Sequence, residues 1–171
     1  IRYKDFWENG EPNQEQVDAI YKRKPRAPYV TAKFADGTEE KVWCTFDEEQ
    51  IDIDCESETG KKFINENLKF LDGASLIRLD AFAYATKKAG TSCFFIEPGV
   101  WNLLGQCDEV LKDYGALLLP EIHEHYSMQL KIAEKGYFVY DFALPMLLIH
   151  ALYYGVFHTS SVGRPHQSGH R

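Results

Sequence analysis

Two short segments hold the residues best suited to chemistry. In IRLDAFAY, residues 77–84, Arg78 and Asp80 stand two apart at the end of an apolar run. In LLLPEIHEHY, residues 117–126, Glu121 directly follows another apolar run. Period two puts Arg78 and Asp80 on the same face of a strand. A guanidinium beside a carboxylate favours its ionised form, which suits a nucleophile. The plain alternative is an ion pair that fixes a loop. If both runs are neighbouring parallel strands, Asp80 and Glu121 face one cup. Retaining glycoside chemistry needs such a pair, one carboxylate ionised and one protonated, about 5 Å apart. Neighbouring strands lie about 4.8 Å apart. A metal reading competes, because Glu121, His123 and His125 fall at i, i+2 and i+4 and could bind zinc. That set lacks the HExxH spacing, and no further cluster of ligands stands beside it.

The elements that must position these residues come in two textures. EPNQEQVDAIYKRKPRAPY begins with Asn13 as a helix cap and ends its helix before Pro25. YVTAKF and EEKVWCTF alternate around Asp36-Gly37, the pattern of a β-hairpin. QIDID reads as a short extended piece, with Asp52 and Asp54 as capping or ladder-end groups. From residue 58 the order becomes α-β-α-β-α-β-α. Helical spacing in ETGKKFINENLKFL, EPGVWNLLGQCDEVLKDYG and SMQLKIAEKG alternates with the strand-like runs ASLIRLDAF, ALLLPEI and YFVYDF. The apolar ALPMLLIHALYYG reads as a buried helix. This alternation implies an α/β fold with a parallel sheet or barrel. Active-site groups of such barrels come from the C-terminal strand ends.

Composition narrows the function. The chain has 171 residues, 44% hydrophobic, and a formal charge of −7, so nucleic-acid or anionic-membrane surfaces are not expected as partners. No run reaches the roughly 18 apolar residues of a membrane span. No signal peptide is visible. The four cysteines show no CxxC pair and read as free thiols of a cytoplasmic protein. The phosphate-loop and GxGxxG patterns are absent, which counts against nucleotide chemistry. YKRKPRAP, residues 21–28, is a basic cluster. It is either a solvated loop or a site for an anionic substrate.

IRLDAFAYATKKAGTSCF, LLPEIHEHY, VYDFALPMLLIHALYYG and VWCTFDEEQIDID resemble the sucrose phosphorylases, a family of the α-amylase superfamily. The resemblance covers about residues 1–155. It implies a partial (β/α)8 barrel, its middle staves, preceded by part of a small inserted α+β domain. Residues 1–46 would belong to the insert and 47–155 to the barrel. It implies Asp80 as the nucleophile that forms a β-glucosyl-enzyme, Arg78 as its support and Glu121 as general acid/base. Tyr84, Phe46, Gln50 and His123 match sugar-subsite positions, and Leu79 and Ile122 accompany the two carboxylates as substrate-binding residues. Arg23 or Lys24 matches a basic residue of the acceptor loop. The implied substrates are sucrose and phosphate, the products α-D-glucose 1-phosphate and fructose, with no metal and no organic cofactor. A sucrose 6-phosphate phosphorylase, an α-glucosidase-type hydrolase and a non-catalytic carbohydrate-binding remnant stay as alternatives.

The chain also departs from that family. The early barrel strands with their glucosyl-subsite Asp and His, and the later HD motif with the third carboxylate, have no counterpart here. KFLDGASLI joins helix to strand so briefly that a small deletion is expected. VFHTSSVGRPHQSGHR, residues 156–171, has no acidic residue and three of the six His. It reads as a disordered or non-native tail. The chain is thus expected to be an internal fragment. Purified and given sucrose and phosphate, it should release glucose 1-phosphate far more slowly than an ordinary enzyme; ordinary turnover would overturn this expectation.

Overall fold

Local signals set most element ends. The computed structural model describes residues 1–155; the expected tail lies outside the described residues. A short helix α1, Tyr3–Phe6, opens the chain. Asn13 Oδ1 then accepts the Gln16 backbone N–H at 2.8 Å, and Gln16 Oε1 accepts that of Asn13 at 2.9 Å. This reciprocal capping box starts α2, Gln14–Ala19. The antiparallel hairpin joins β1, Tyr29–Lys33, to β2, Glu39–Trp43, with Tyr29 opposite Trp43. Asp36 Oδ1 accepts the backbone N–H and hydroxyl of Thr38. Gly37 takes φ +87°, a left-handed angle free of steric cost only for glycine. Tyr3, Trp7, Ile20, Trp43 and Cys93 form a small buried core.

The second half holds α3, Glu58–Lys69, β3, Leu76–Leu79, α4, Gly99–Leu111, and β4, Leu117–Pro120. It continues with α5, Tyr126–Glu134, and α6, Leu144–Tyr154. Short 3₁₀ turns cover Phe82–Tyr84 and Lys112–Tyr114. β3 and β4 pair in parallel, Leu76 opposite Leu117 and Leu79 opposite Pro120. Ile77 and Leu118 point from this sheet into a core shared with Leu68 of α3, Leu104 and Leu111 of α4, and Ile132 of α5. Burial of each such side chain contributes about 1.5–3 kcal/mol.

Among the described residues there are two two-stranded sheets, one of them the parallel pair expected of a partial barrel, and no complete barrel. Two expectations change. YFVYDF forms no strand: Phe138 N–H donates to Leu118 O at 3.0 Å, and the pairing goes no further. A parallel strand needs the evenly repeated ladder to hold its extended form. α6 is not buried: Met146, Leu152 and Tyr153 are 67%, 86% and 84% exposed. An apolar helix is covered only where a second surface meets it, and none does among the described residues. The short join after α3 is closed by its own hydrogen bonds. Leu71 N–H donates to Leu68 O and Ala74 N–H to Leu71 O, both at 3.0 Å, with Gly73 at φ +87°. The chain reverses in one tight turn.

A buried ion pair ties the hairpin region to the β3 loop. Lys87 Nζ lies 2.7 Å from Asp52 Oδ2, with the two side chains 3% and 14% exposed. The same ammonium donates to Tyr84 O at 2.6 Å and lies 5.5 Å from the Trp43 ring centroid. Asp52 also accepts the Thr45 hydroxyl at 2.5 Å and its N–H at 3.2 Å. Removing one member of a buried pair strands the other charge, whereas replacing both leaves none. Lys87→Met should therefore cost about 3 kcal/mol in urea unfolding, and Lys87→Met with Asp52→Leu distinctly less. Equal losses would mean that the pair is not desolvated.

Candidate active site

The in-register pairing of β3 and β4 brings Arg78, Asp80 and Glu121 to one end of the sheet. Glu121 N–H donates to Leu79 O at 2.9 Å, extending the ladder one step past Pro120. Arg78 then bridges both carboxylates. Its Nη1 lies 2.6 Å from Asp80 Oδ1 and its Nη2 2.5 Å from Glu121 Oε2. The backbone turns sharply after Asp80, with Ala81 at φ +47°. That left-handed conformation is uncommon for a residue with a Cβ and is stored at functional turns. It aims the Ala81 N–H at Glu121 Oε2, 3.1 Å away. His123 Nε2 stands 3.0 Å from the other oxygen, Oε1.

These contacts make the two carboxylates unequal. Asp80 is open, its side chain 72% exposed, while that of Glu121 is 21% exposed. The Ala81 N–H, the most important of the groups around it, holds the Glu121 carboxyl below the ordinary carboxylate range. Asp80, Arg78 and His123 add to the effect, and burial opposes it. Hydrogen bonds to an ionised carboxylate stabilise that form. Resting Glu121 is thus an anion, the reverse of the protonated acid that the first step of glycoside cleavage requires.

A second group gathers around Tyr84. Phe82 and Ala83 are buried and anchor the 3₁₀ turn. The Tyr84 ring meets Tyr21, Phe46 and Phe94, with centroids 6.1, 5.3 and 4.8 Å away. Burial raises the Tyr84 hydroxyl above its ordinary pKa, and Arg23 beside it acts the other way. Lys24 Nζ lies 2.7 Å from Asp47 Oδ1, and Gln50 Oε1 accepts the Asp47 N–H at 3.3 Å. The structure therefore joins Phe46 directly to Tyr84, with Arg23 near its hydroxyl, and links Lys24 to Gln50 through Asp47.

Other expected site residues fall elsewhere. Ile122 is fully buried in the main core, so its side chain packs against helices and is not open to a ligand. Leu79 is half-buried against the same core. Glu121, His123 and His125 do not converge: His125 Nδ1 lies 3.0 Å from the Ser127 hydroxyl and caps α5. Among the described residues no group of three His, Cys, Asp or Glu can hold a metal. Two residues at the site escaped the sequence reading. Tyr140 Oη accepts Arg78 Nε–H at 2.9 Å, and Lys87 holds the Tyr84 carbonyl. Tyr140 was masked by its place in a run read as strand, and Lys87 by the rule that lysines are solvated.

No family model matches the chain. Over 155 residues it is 51% identical to "Sucrose phosphorylase" of Streptococcus mutans, covering 90% of this chain and 32% of that protein. Over 145 residues it is 41% identical to "Glucosylglycerol phosphorylase" of Marinobacter adhaerens, covering 84% of this chain and 30% of that one. Among solved structures it resembles sucrose 6F-phosphate phosphorylase from Thermoanaerobacter thermosaccharolyticum. The TM-score is 0.83 and the identity 38%, covering 90% of this chain and 32% of that one. The chain spans about a third of the length of the relatives it matches. It is homologous to these glycoside phosphorylases over most of its own length.

The depressed Glu121 pKa has a consequence for stability. A carboxylate held below its unfolded value contributes stability that is present above that value and lost as pH falls through the folded value. Glu121→Gln should lower the urea midpoint at neutral pH, and the gap to the unaltered chain should close as pH falls through the depressed folded value, which lies below the ordinary glutamate value of about 4.3. A gap that persists in acid would contradict the assignment.

Proposed function

Starting from homology to the sucrose phosphorylases, we propose that this chain carries the carboxylate pair of a retaining glucosyl-transfer site. The observation that supports the reading is the single guanidinium spanning Asp80 and Glu121 at the C-terminal end of a parallel strand pair. In the whole protein these strands are the middle staves of a (β/α)8 barrel, whose reactive groups stand at that end. Asp80, open and beside Arg78, is the nucleophile: it attacks the anomeric carbon of a bound glucoside and forms a glucosyl ester. Glu121 delivers a proton to the departing oxygen and later accepts one from the incoming acceptor. The acceptor is phosphate and the preferred donor sucrose, a choice supported by 51% identity to a sucrose phosphorylase.

The charge balance suits the second half of this cycle. Once Asp80 is esterified its charge is gone, and Arg78 acts on Glu121 alone. Glu121 must then be a base, and the cation and the Ala81 N–H favour its ionised form. In the first half the carboxyl must be protonated. Substrate filling the cup removes water from a group that is already largely covered, which drives its pKa upward. Tyr84 and Phe46 offer aromatic faces to a sugar ring, and Arg23 and Lys24 positive charge for an anionic acceptor.

The reading is tested by trapping. A slow-leaving glucosyl donor should leave a covalent hexosyl adduct on the peptide containing Asp80, seen by mass spectrometry, and Asp80→Asn should abolish it. Where turnover is measurable, Glu121→Gln should lower it roughly 10²- to 10⁴-fold. Release of the sugar should require phosphate. An adduct released equally fast by water alone would make the protein a hydrolase; no adduct at all would leave a binding module.

A further inference from the structure

The segment between α5 and α6 makes a contact that glucosyl transfer as described does not use. Arg78 meets three oxygens at once: Asp80 Oδ1 at Nη1, Glu121 Oε2 at Nη2, and Tyr140 Oη at Nε. Tyr140 stacks on Phe142, with centroids 5.5 Å apart and planes at 20°. Phe142 lies 4.2 Å from the His123 ring centroid, and His123 Nε2 returns to Glu121 Oε1 at 3.0 Å. The contacts close a ring through Arg78, Glu121, His123, Phe142 and Tyr140. Asp141 anchors the backbone between the two aromatics, its Oδ1 accepting the N–H groups of Ala143 and Leu144.

We propose that Tyr140 is a positioning residue whose hydroxyl fixes the plane of the Arg78 guanidinium, so that Arg78 spans both carboxylates. A guanidinium facing two carboxylates can turn and take one of them bidentately. That geometry would pair one carboxylate strongly and release the other. An acceptor at Nε opposes the turn, because the fork is rigid and planar. Tyr140 thereby keeps Asp80 and Glu121 under one shared cation. Its importance for turnover rests on the glucosyl-transfer reading; its effect on the two carboxylates does not.

Tyr140→Phe tests this with little disturbance. It removes one hydroxyl and keeps the ring that stacks on Phe142. The unaltered 171-residue chain and the variant are labelled with ¹³C at glutamate carboxyls, and the Glu121 signal is assigned by its loss in Glu121→Gln. The variant should unfold at nearly the same temperature, its Glu121 titration midpoint should shift by roughly half a pH unit, upward where the freed guanidinium takes Asp80 and downward where it takes Glu121, and its Arg78 Nε–H should exchange faster with water. An unchanged midpoint and exchange rate in a folded variant would overturn the proposal. Failure to trap a hexosyl adduct on Asp80 would remove the enzymatic reading and leave this titration result standing.

Discussion

Register is the constraint on which the site depends. Leu79 opposite Pro120 is one step of a parallel ladder, yet it decides that Arg78 can reach both carboxylates. Side chains alternate along a strand, so a slip of one residue would turn Glu121 to the other face of the sheet. The register is held by Ile77 and Leu118, which are buried from both strands, and is extended by the Glu121 N–H on Leu79 O. Apolar packing thus sets the geometry of an ionic site that lies at its edge. This fits the wider pattern in which a rigid scaffold supplies precision and the loops supply chemistry.

The site is asymmetric for a backbone reason. Asp80 and Glu121 share one cation, but only Glu121 receives a backbone N–H. That bond exists because Ala81 adopts a left-handed conformation, which the packed Phe82 and Ala83 hold in place. Strain at one residue is maintained by burial at the next two. The result is a resting Glu121 anion, poised for the base half of a double-displacement cycle more than for the acid half.

Lys87 links this turn to the rest of the chain. Its ammonium joins Asp52, the Tyr84 carbonyl and the Trp43 ring, so the hairpin region and the β3 loop are held by one desolvated charge. Arg26 acts similarly within the hairpin region, donating to Ala27 O, Tyr29 O and Phe46 O. Phe46 and Tyr84 therefore meet on loops each fixed by a cation. α6 is the contrast: it is almost entirely apolar and without cover among the described residues.

Turns, caps and the residue types at the site could be read along the chain. The cap at Asn13, the Asp36-Gly37 turn, and two apolar runs ending in Asp80 and Glu121 were all legible, because each depends on neighbours in the chain. Tertiary structure decided the rest. Whether YFVYDF became a strand depended on a partner edge, and whether α6 was buried depended on a covering surface; neither is written in the segment itself. Ile122 looked like a site residue because it adjoins Glu121, but alternation sends it into the core. Tyr140 and Arg78 are 62 residues apart, and Lys87 and Asp52 lie on separate loops. Sequence spacing reports on side chains sharing one element. Which charges share one cation is decided by packing between elements.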